Sequence, residues 1–163
     1  MSTRSGIGYD SHRLAEGRRL VLGGVVVPDA PLGLDGHSDA DALTHAVIDA
    51  LLGAAGLGDI GLHFPDSDER WRDADSIDLL SEVAVFLDEH DFAVRFIDAT
   101  VICEAPKLGP YRDDMRRRLA ATVGLSARDV NVKFTTNERM GAIGRGEGIA
   151  AMAVATIERT RDG

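Results

Sequence analysis

Residues 38–56, SDADALTHAVIDALLGAAG, place Leu43, Val47, Ile48, Leu51 and Leu52 at helical spacing, the strongest constraint this chain puts on its own fold. Ser38 or Asp39 suits the start of that helix, and Gly53 or Gly56 its end. On its N-terminal side, Gly6 to Leu14 and Arg19 to Val27 read as strands joined by a turn at Glu16 and Gly17, a hairpin that Pro28 and Pro31 bring to a stop. A glycine-containing loop then leads to His37.

Beyond the helix, Gly58 to Asp75 carries loop chemistry, and a second helix is predicted from about Ser76 to His90, with Ile77, Leu80, Val83, Ala84 and Leu87 along one side. FAVRFIDATVICE reads as a strand, a third helix is expected around Gly109 to Val123 with Gly124 ending it, and Asp129 to Thr136 reads as another strand. The last segment, GIAAMAVATIER, is two-sided. Its alanines favour a helix, but Ile149, Ala151, Ala153, Ala155 and Ile157 alternate with Met152, Val154 and Thr156, and the alternation predicts a strand. This order of elements predicts an α/β (α+β) fold, one sheet with helices on one face, in a single domain over residues 1–163. A chain of that length buries roughly 70% of its unfolded surface, enough for one core.

Charge narrows the function. A net charge of −9 repels a nucleic-acid backbone, so no nucleic-acid partner is expected. The apolar runs are too short to span a bilayer, and MSTRSGIGYD lacks a secretory apolar core, so no membrane association is expected. The single cysteine, Cys103, agrees with a reducing cytoplasm and reads as a small buried apolar side chain.

Asp10 and His12 in GYDSHRL stand two residues apart, so on a strand they share a face, and His45 on the next helix can supply a third donor to one metal ion. Asp/His/His leaves a fourth tetrahedral position open, as in catalytic zinc sites; the same residues also suit an ordinary polar surface. Asp49, one turn beyond His45, can orient that imidazole or simply face solvent. Asp59, Asp66 and Asp68 suit hard cations, sugar hydroxyls or a solvated loop. KFTTNERMGAIGRGEG clusters hydroxyls, an amide, carboxylates and arginines fit for phosphates and a divalent cation. Neither a Walker loop nor a G-x-S-x-G elbow occurs.

Taken together, GYDSHRL, GHSDADALTHAVIDALLGAAGLGDIGLHFPDSD, ADS, EAPKLGPY, VNVKFTTNERMG and GRGEGIAAMAV resemble the 2-C-methyl-D-erythritol 2,4-cyclodiphosphate synthase family from about Gly6 to Ile157. The resemblance implies a phosphorus–oxygen lyase of the non-mevalonate isoprenoid pathway, acting on a cytidine diphosphate substrate. It further implies a mixed sheet with helices on one side and a homotrimer whose active sites lie between subunits. Carried over residue by residue, it implies zinc on Asp10, His12 and His45, transition-state stabilisation by His37 and Thr136, and a second cation, magnesium or manganese, at Glu138. Substrate contacts are implied for Ser38, Asp59, Ile60, Gly61, Phe64, Pro65, Asp66, Ser67 and Asp68. The cytidine side is implied for Cys103, Glu104, Ala105, Pro106, Lys107, Leu108 and Gly109, with Thr135, Asn137, Ala142 and Arg145 also in contact. Asp49 matches an acid beside the zinc, and Ser76 the serine closing a mobile loop. Two positions depart from the family pattern: Ala142, where many relatives carry a larger apolar residue, and Asn137, which replaces a threonine of some relatives.

Overall fold

The alternation in the last segment does produce a strand, and that strand organises the sheet. In the computed structural model, which describes residues 2–160, the C-terminal strand Gly148–Arg159 buries Ile149, Ala151, Ala153, Ala155 and Ile157 and leaves Met152 and Val154 exposed. It lies antiparallel between the first strand, Thr3–Ala15, and the long strand Phe92–Ile102.

In chain order the strands are β1 (Thr3–Ala15), β2 (Leu20–Leu22), β3 (Val25–Val27), β4 (Gly33–Leu34), β5 (Phe92–Ile102), β6 (Val130–Thr135) and β7 (Gly148–Arg159). The helices are α1 (Ala42–Ala55), α2 (Ile60–His63), α3 (Ser76–Glu89), α4 (Arg112–Val123) and α5 (Gly141–Gly144). The main sheet runs β4-β1-β7-β5-β6, mixed because β5 and β6 are parallel. α1 packs on β1 and β7, α3 on β5 and α4 on β6, which puts these helices on one face, as expected. Of the predicted unit 1–163, residues 1 and 161–163 lie outside the described residues.

One prediction fails. Arg19 to Val27 does not pair with β1; it breaks at Gly23 and Gly24 into β2 and β3, which pair with each other as a separate two-stranded sheet. Both glycines have positive φ, 59° and 71°, the backbone a tight two-residue hairpin turn requires, so the double glycine outweighs the apolar continuity of LVLGGVVV. The edge of β1 goes instead to β4.

The cap of α1 also shifts, from Ser38 or Asp39 to Asp41. Its buried carboxylate accepts hydrogen bonds from Thr44 N (2.9 Å), Thr44 Oγ1 (2.7 Å), Gly23 N (2.9 Å) and Gly24 N (2.7 Å). One side chain thus caps the helix and fastens the hairpin turn to it. Burial and the neighbouring charge of Asp39 raise the Asp41 pKa, against the pull of these donors. The other end of α1 closes at Gly56 in the left-handed region, and α4 ends the same way at Gly124.

The free edge at β6 is closed by arginines. Arg112 Nε donates to Val132 O (3.1 Å) and Arg116 Nε to Val130 O (2.8 Å), so side chains one helical turn apart meet strand carbonyls two residues apart. Their positive charge on an edge strand opposes pairing with another sheet.

The contact that matters most for the site is between α1 and β1. Gly6, Gly8, Asp10 and His12 alternate onto one face of β1. A Cβ at Gly6 would lie 2.1 Å from Ala50 O, and one at Gly8 1.9 Å from Ala46 O, while Ala42, Ala46, Ala50 and Ala54 recur every fourth residue of α1. Helix backbone therefore rests directly on strand backbone. Replacing Gly8 by Ala forces the two apart and is expected to cost about 1–3 kcal/mol or more, the range for overpacked cores. Chemical denaturation reads this directly, and a Gly8→Ala protein of wild-type stability would contradict the close-packing account.

Candidate active site

Where the glycines of β1 give way to Asp10 and His12, the first turn of α1 brings His45 over the same strand face. Asp10 Oδ2 lies 2.8 Å from His12 Nε2 and 3.2 Å from His45 Nδ1, and the two ring nitrogens are 3.3 Å apart. A tetrahedral zinc site with bonds of about 2.0 Å has ligand–ligand edges of about 3.3 Å, so this triangle has the right size for three ligands of one ion.

The other ring nitrogens show which atoms are free to ligate. His12 Nδ1 donates to Asp35 O (2.9 Å), which leaves the Nε2 lone pair facing the triangle. On the far side of His45, Ser76 Oγ gives its proton to Asp39 Oδ1 and accepts from His45 Nε2 (2.8 Å), with Ser38 Oγ 3.2 Å away. His45 Nδ1 is thereby left as a lone pair too. Two lone pairs and a carboxylate oxygen packed this closely need a positive charge among them, either a proton or a metal ion. The pKa directions agree. Burial works to raise the Asp10 pKa, but hydrogen bonds to His12 and His45 outweigh it and the carboxyl is lowered; burial works to lower His12, but Asp10 outweighs it and the imidazole is raised.

Asp39 completes this support. Its Oδ2 accepts from Ser76 N (3.0 Å) at the start of α3, so a carboxylate before α1, a hydroxyl on α3 and an imidazole on α1 run in line to the Asp10, His12 and His45 triangle. Asp49, one helical turn beyond His45, accepts from Ile60 N (2.8 Å) and pins the start of α2. Burial, followed by the charges of Asp59 and Asp10, raises its pKa, with the Ile60 N–H pulling the other way. Sequence spacing gave no sign of Asp39 in this role, because it reaches α3 only through the fold.

The triangle opens into a cavity of about 430 Å³ that also takes in His37, Ser38, Ile60, Gly61 and Asp66, together with Trp71, which no motif points to. His37 Nε2 donates to Asp68 O (3.2 Å), tying its ring to the connection between α2 and α3. Asp59 caps α2 through Leu62 N (2.9 Å), and Phe64 packs edge-on against Trp71 at 5.0 Å. Pro65 O accepts from Asp68 N (2.9 Å) across Ser67, and Asp68 pairs with Arg70 at 2.6 Å.

The residues that the resemblance assigns to a cytidine side meet elsewhere. Cys103, Glu104, Pro106, Lys107, Leu108 and Gly109 line a second hollow of about 290 Å³ with Thr135 and Thr136. Arg112, which sequence reading overlooked, also lines it, with its guanidinium 5.2 Å from the Phe134 ring. Ala105, joined to Pro106 by a cis peptide, faces a neighbouring hollow with Leu14 and Pro31. Burial pushes the Cys103 thiol up to about 11, which leaves it unreactive near neutral pH, in agreement with its reading as a buried apolar side chain.

After β6 the chain turns sharply through Glu138 and Arg139, both with positive φ, 52° and 61°. Glu104 Oε1 holds that turn by accepting from Asn137 N (2.9 Å) and Arg139 N (3.2 Å), and Glu138 N donates to Thr136 Oγ1 (3.2 Å). Ala142 on α5 lines a third hollow with Ser11 and Ile143, and Arg145 pairs with Glu147 at 2.6 Å.

The YgbB family model matches residues 3–158. The 2-C-methyl-D-erythritol 2,4-cyclodiphosphate synthase of Desulfosudis oleivorans is 58% identical over 161 residues, spanning 98% of this chain and 95% of that protein. The protein of the same name from Symbiobacterium thermophilum is 57% identical over 152 residues, 93% of this chain and 96% of its own. Among solved structures, the bifunctional IspDF from Campylobacter jejuni superposes with a TM-score of 0.93 at 39% identity, covering 97% of this chain and 42% of that one. A CDP-bound 2C-methyl-D-erythritol-2,4-cyclodiphosphate synthase gives 0.87 at 39% identity, covering 95% of this chain and all 100% of its own.

The support behind His45 is open to a direct test. Ser76→Ala removes the nearer of the two hydroxyls at His45 Nε2 and is expected to weaken binding of an added divalent metal ion about 10- to 100-fold. Competition against a chromophoric chelator measures this, and an unchanged affinity would remove Ser76 from the metal site.

Proposed function

The chain belongs to the YgbB family of 2-C-methyl-D-erythritol 2,4-cyclodiphosphate synthases, enzymes of the lyase class that serve isoprenoid synthesis, and on that premise we propose its reaction. It converts 4-diphosphocytidyl-2-C-methyl-D-erythritol 2-phosphate to the 2,4-cyclic diphosphate and CMP. The observation that carries this reading is the Asp10, His12 and His45 triangle, sized for one metal and opening into the cavity that contains His37.

The nucleophile is the substrate's own 2-phosphate, largely ionised near neutral pH because its second pKa is about 6. It attacks the β-phosphorus, and the bond from that phosphorus to the oxygen bridging to CMP breaks. No protein base is required. The obstacle is bringing two anions together, and positioning an intramolecular attack removes roughly 7–11 kcal/mol of barrier. Zinc on Asp10, His12 and His45, with magnesium or manganese at Glu138, would supply the Lewis acidity and the neutralising charge.

The chain's own residues do the rest. Ser38, Asp59, Ile60, Gly61 and residues 64–68 surround the methylerythritol, and residues 103–109 with Thr135, Asn137, Ala142 and Arg145 take the cytidine diphosphate side. His37 and Thr136 donate hydrogen bonds to charge that grows at phosphorus. His37 and Thr136 line different hollows of one chain, which supports an active site assembled between subunits of a homotrimer. The sheet face away from the helices supports it too, because Ile7 (65% exposed), Tyr9 (56%), Phe96, Met152 and Val154 form an apolar surface that a second copy would cover. No helix among the described residues is long and apolar enough to cross a membrane, and the cytoplasm is the proposed setting.

Phosphorus NMR of the protein with this substrate, zinc and magnesium tests the reaction. Wild type is expected to give cyclic diphosphate plus CMP and His45→Ala neither; a linear phosphate product would indicate a metal-dependent hydrolase, and unchanged substrate a binding protein. The connection from Gly61 to Asp75 has a separate role in keeping water from the reacting phosphorus. Shortening it is expected to raise linear product at the expense of cyclic product, and an unaltered ratio would refute that role.

A further inference from the structure

Arg18 sits in the turn between β1 and β2, outside every motif of the chain. Its guanidinium nevertheless reaches the strip that leads from β4 to α1. Nε donates to Leu34 O (3.0 Å), and Nη2 donates to Gly36 O (3.2 Å) and Ser38 O (2.8 Å). The carbonyls between these go to other partners: Asp35 O accepts from His12 Nδ1 (2.9 Å), and His37 O accepts from Asp73 N (2.9 Å). The carbonyls of Leu34, Gly36 and Ser38 thus serve one arginine, while that of Asp35 holds the His12 ring and that of His37 ties the strip to Asp73.

The fit is close on both sides. A Cβ at Gly33, just before the strip, would lie 2.2 Å from Arg18 O, and one at Gly36 3.0 Å from the His12 ring, so the strip passes close to both. The Arg18 side chain is 28% exposed, and its nearest carboxylate, on Asp73, stands 4.0 Å away and is itself largely exposed. Backbone carbonyls rather than an ion pair hold the guanidinium. A planar fork with fixed donor directions meets three such acceptors; a lysine ammonium on a flexible stem does not reproduce that arrangement.

We propose that Arg18 is a positioning residue for the reaction: by fixing the strip 34–38 it sets both the carbonyl that orients metal ligand His12 and the backbone that carries His37. This rests on the proposed function for its kinetic consequence, though not for its effect on the metal site. Small displacements of reacting groups are costly, with about 1 Å capable of a loss on the order of 100-fold in rate.

Arg18→Lys and Arg18→Ala test it through zinc affinity by chelator competition, kcat and KM for cyclic diphosphate formation, and thermal unfolding. The expected result for both variants is kcat lower by about 10-fold or more with KM within about 3-fold. Zinc binding should weaken, and added guanidinium ion at millimolar concentration should restore activity to Arg18→Ala but not to Arg18→Lys. Wild-type kcat and zinc affinity in Arg18→Lys would overturn the proposal, as would losses that track unfolding temperature alone and ignore guanidinium. If Arg18→Ala does not fold, the lysine variant decides. If wild-type protein makes no cyclic product, the functional reading fails while zinc affinity still judges Arg18.

Discussion

Helix α1 lies backbone to backbone on strand β1, and the Asp10, His12 and His45 triangle depends on that approach. Gly6 and Gly8 leave no side chain between Ala50, Ala46 and the sheet. Any residue with a Cβ there would lift the helix, and His45 would move away from Asp10 and His12. The same strand face that carries no side chains under the helix carries both ligands just beyond it, so one alternation serves packing and chemistry together.

Two buried or half-buried carboxylates hold the surroundings in place. Asp41 joins the first turn of α1 to the β2–β3 turn with four hydrogen bonds, and Asp39 joins the strip before α1 to Ser76 at the head of α3. Charges are costly to bury unless satisfied, and these accept N–H and O–H donors both from the start of α1 itself and from elements distant in sequence. Along with Arg18 on the strip's carbonyls, they make a polar frame around the imidazoles, while the leucines and valines of α1, α3 and β5 provide the apolar core behind it.

Single-chain geometry also has a consequence for assembly. The triangle with His37 and the Thr136 turn with Glu138 belong to different hollows, and the face of the sheet that helices do not cover is apolar along β1 and β7, where Ile7 pairs in register with Val154 and Tyr9 with Met152. The proposed homotrimer rests on this apolar sheet face and on the separation of the two hollows.

From the sequence alone came the strand and helix order, α1 from its apolar spacing, β7 from its alternation, and the Asp10/His12/His45 donors, because periodicity and donor type are local properties. The family motifs likewise pointed to the chemistry before any fold was known. The hairpin was misread, since apolar continuity in LVLGGVVV masked two glycines whose positive φ turns the chain back. Helical spacing leaves Asp49 either orienting His45 or facing solvent; in the fold its carboxylate accepts from Ile60 N on α2, while Ser76 and Asp39 stand behind the His45 ring. Arg18, Trp71 and Arg112 carried no signal at all. Which side chain finds which partner is decided by contacts across 16 to 37 residues of sequence, where hydrogen bonds from β1, α1 and α3 converge, and no periodicity records that convergence.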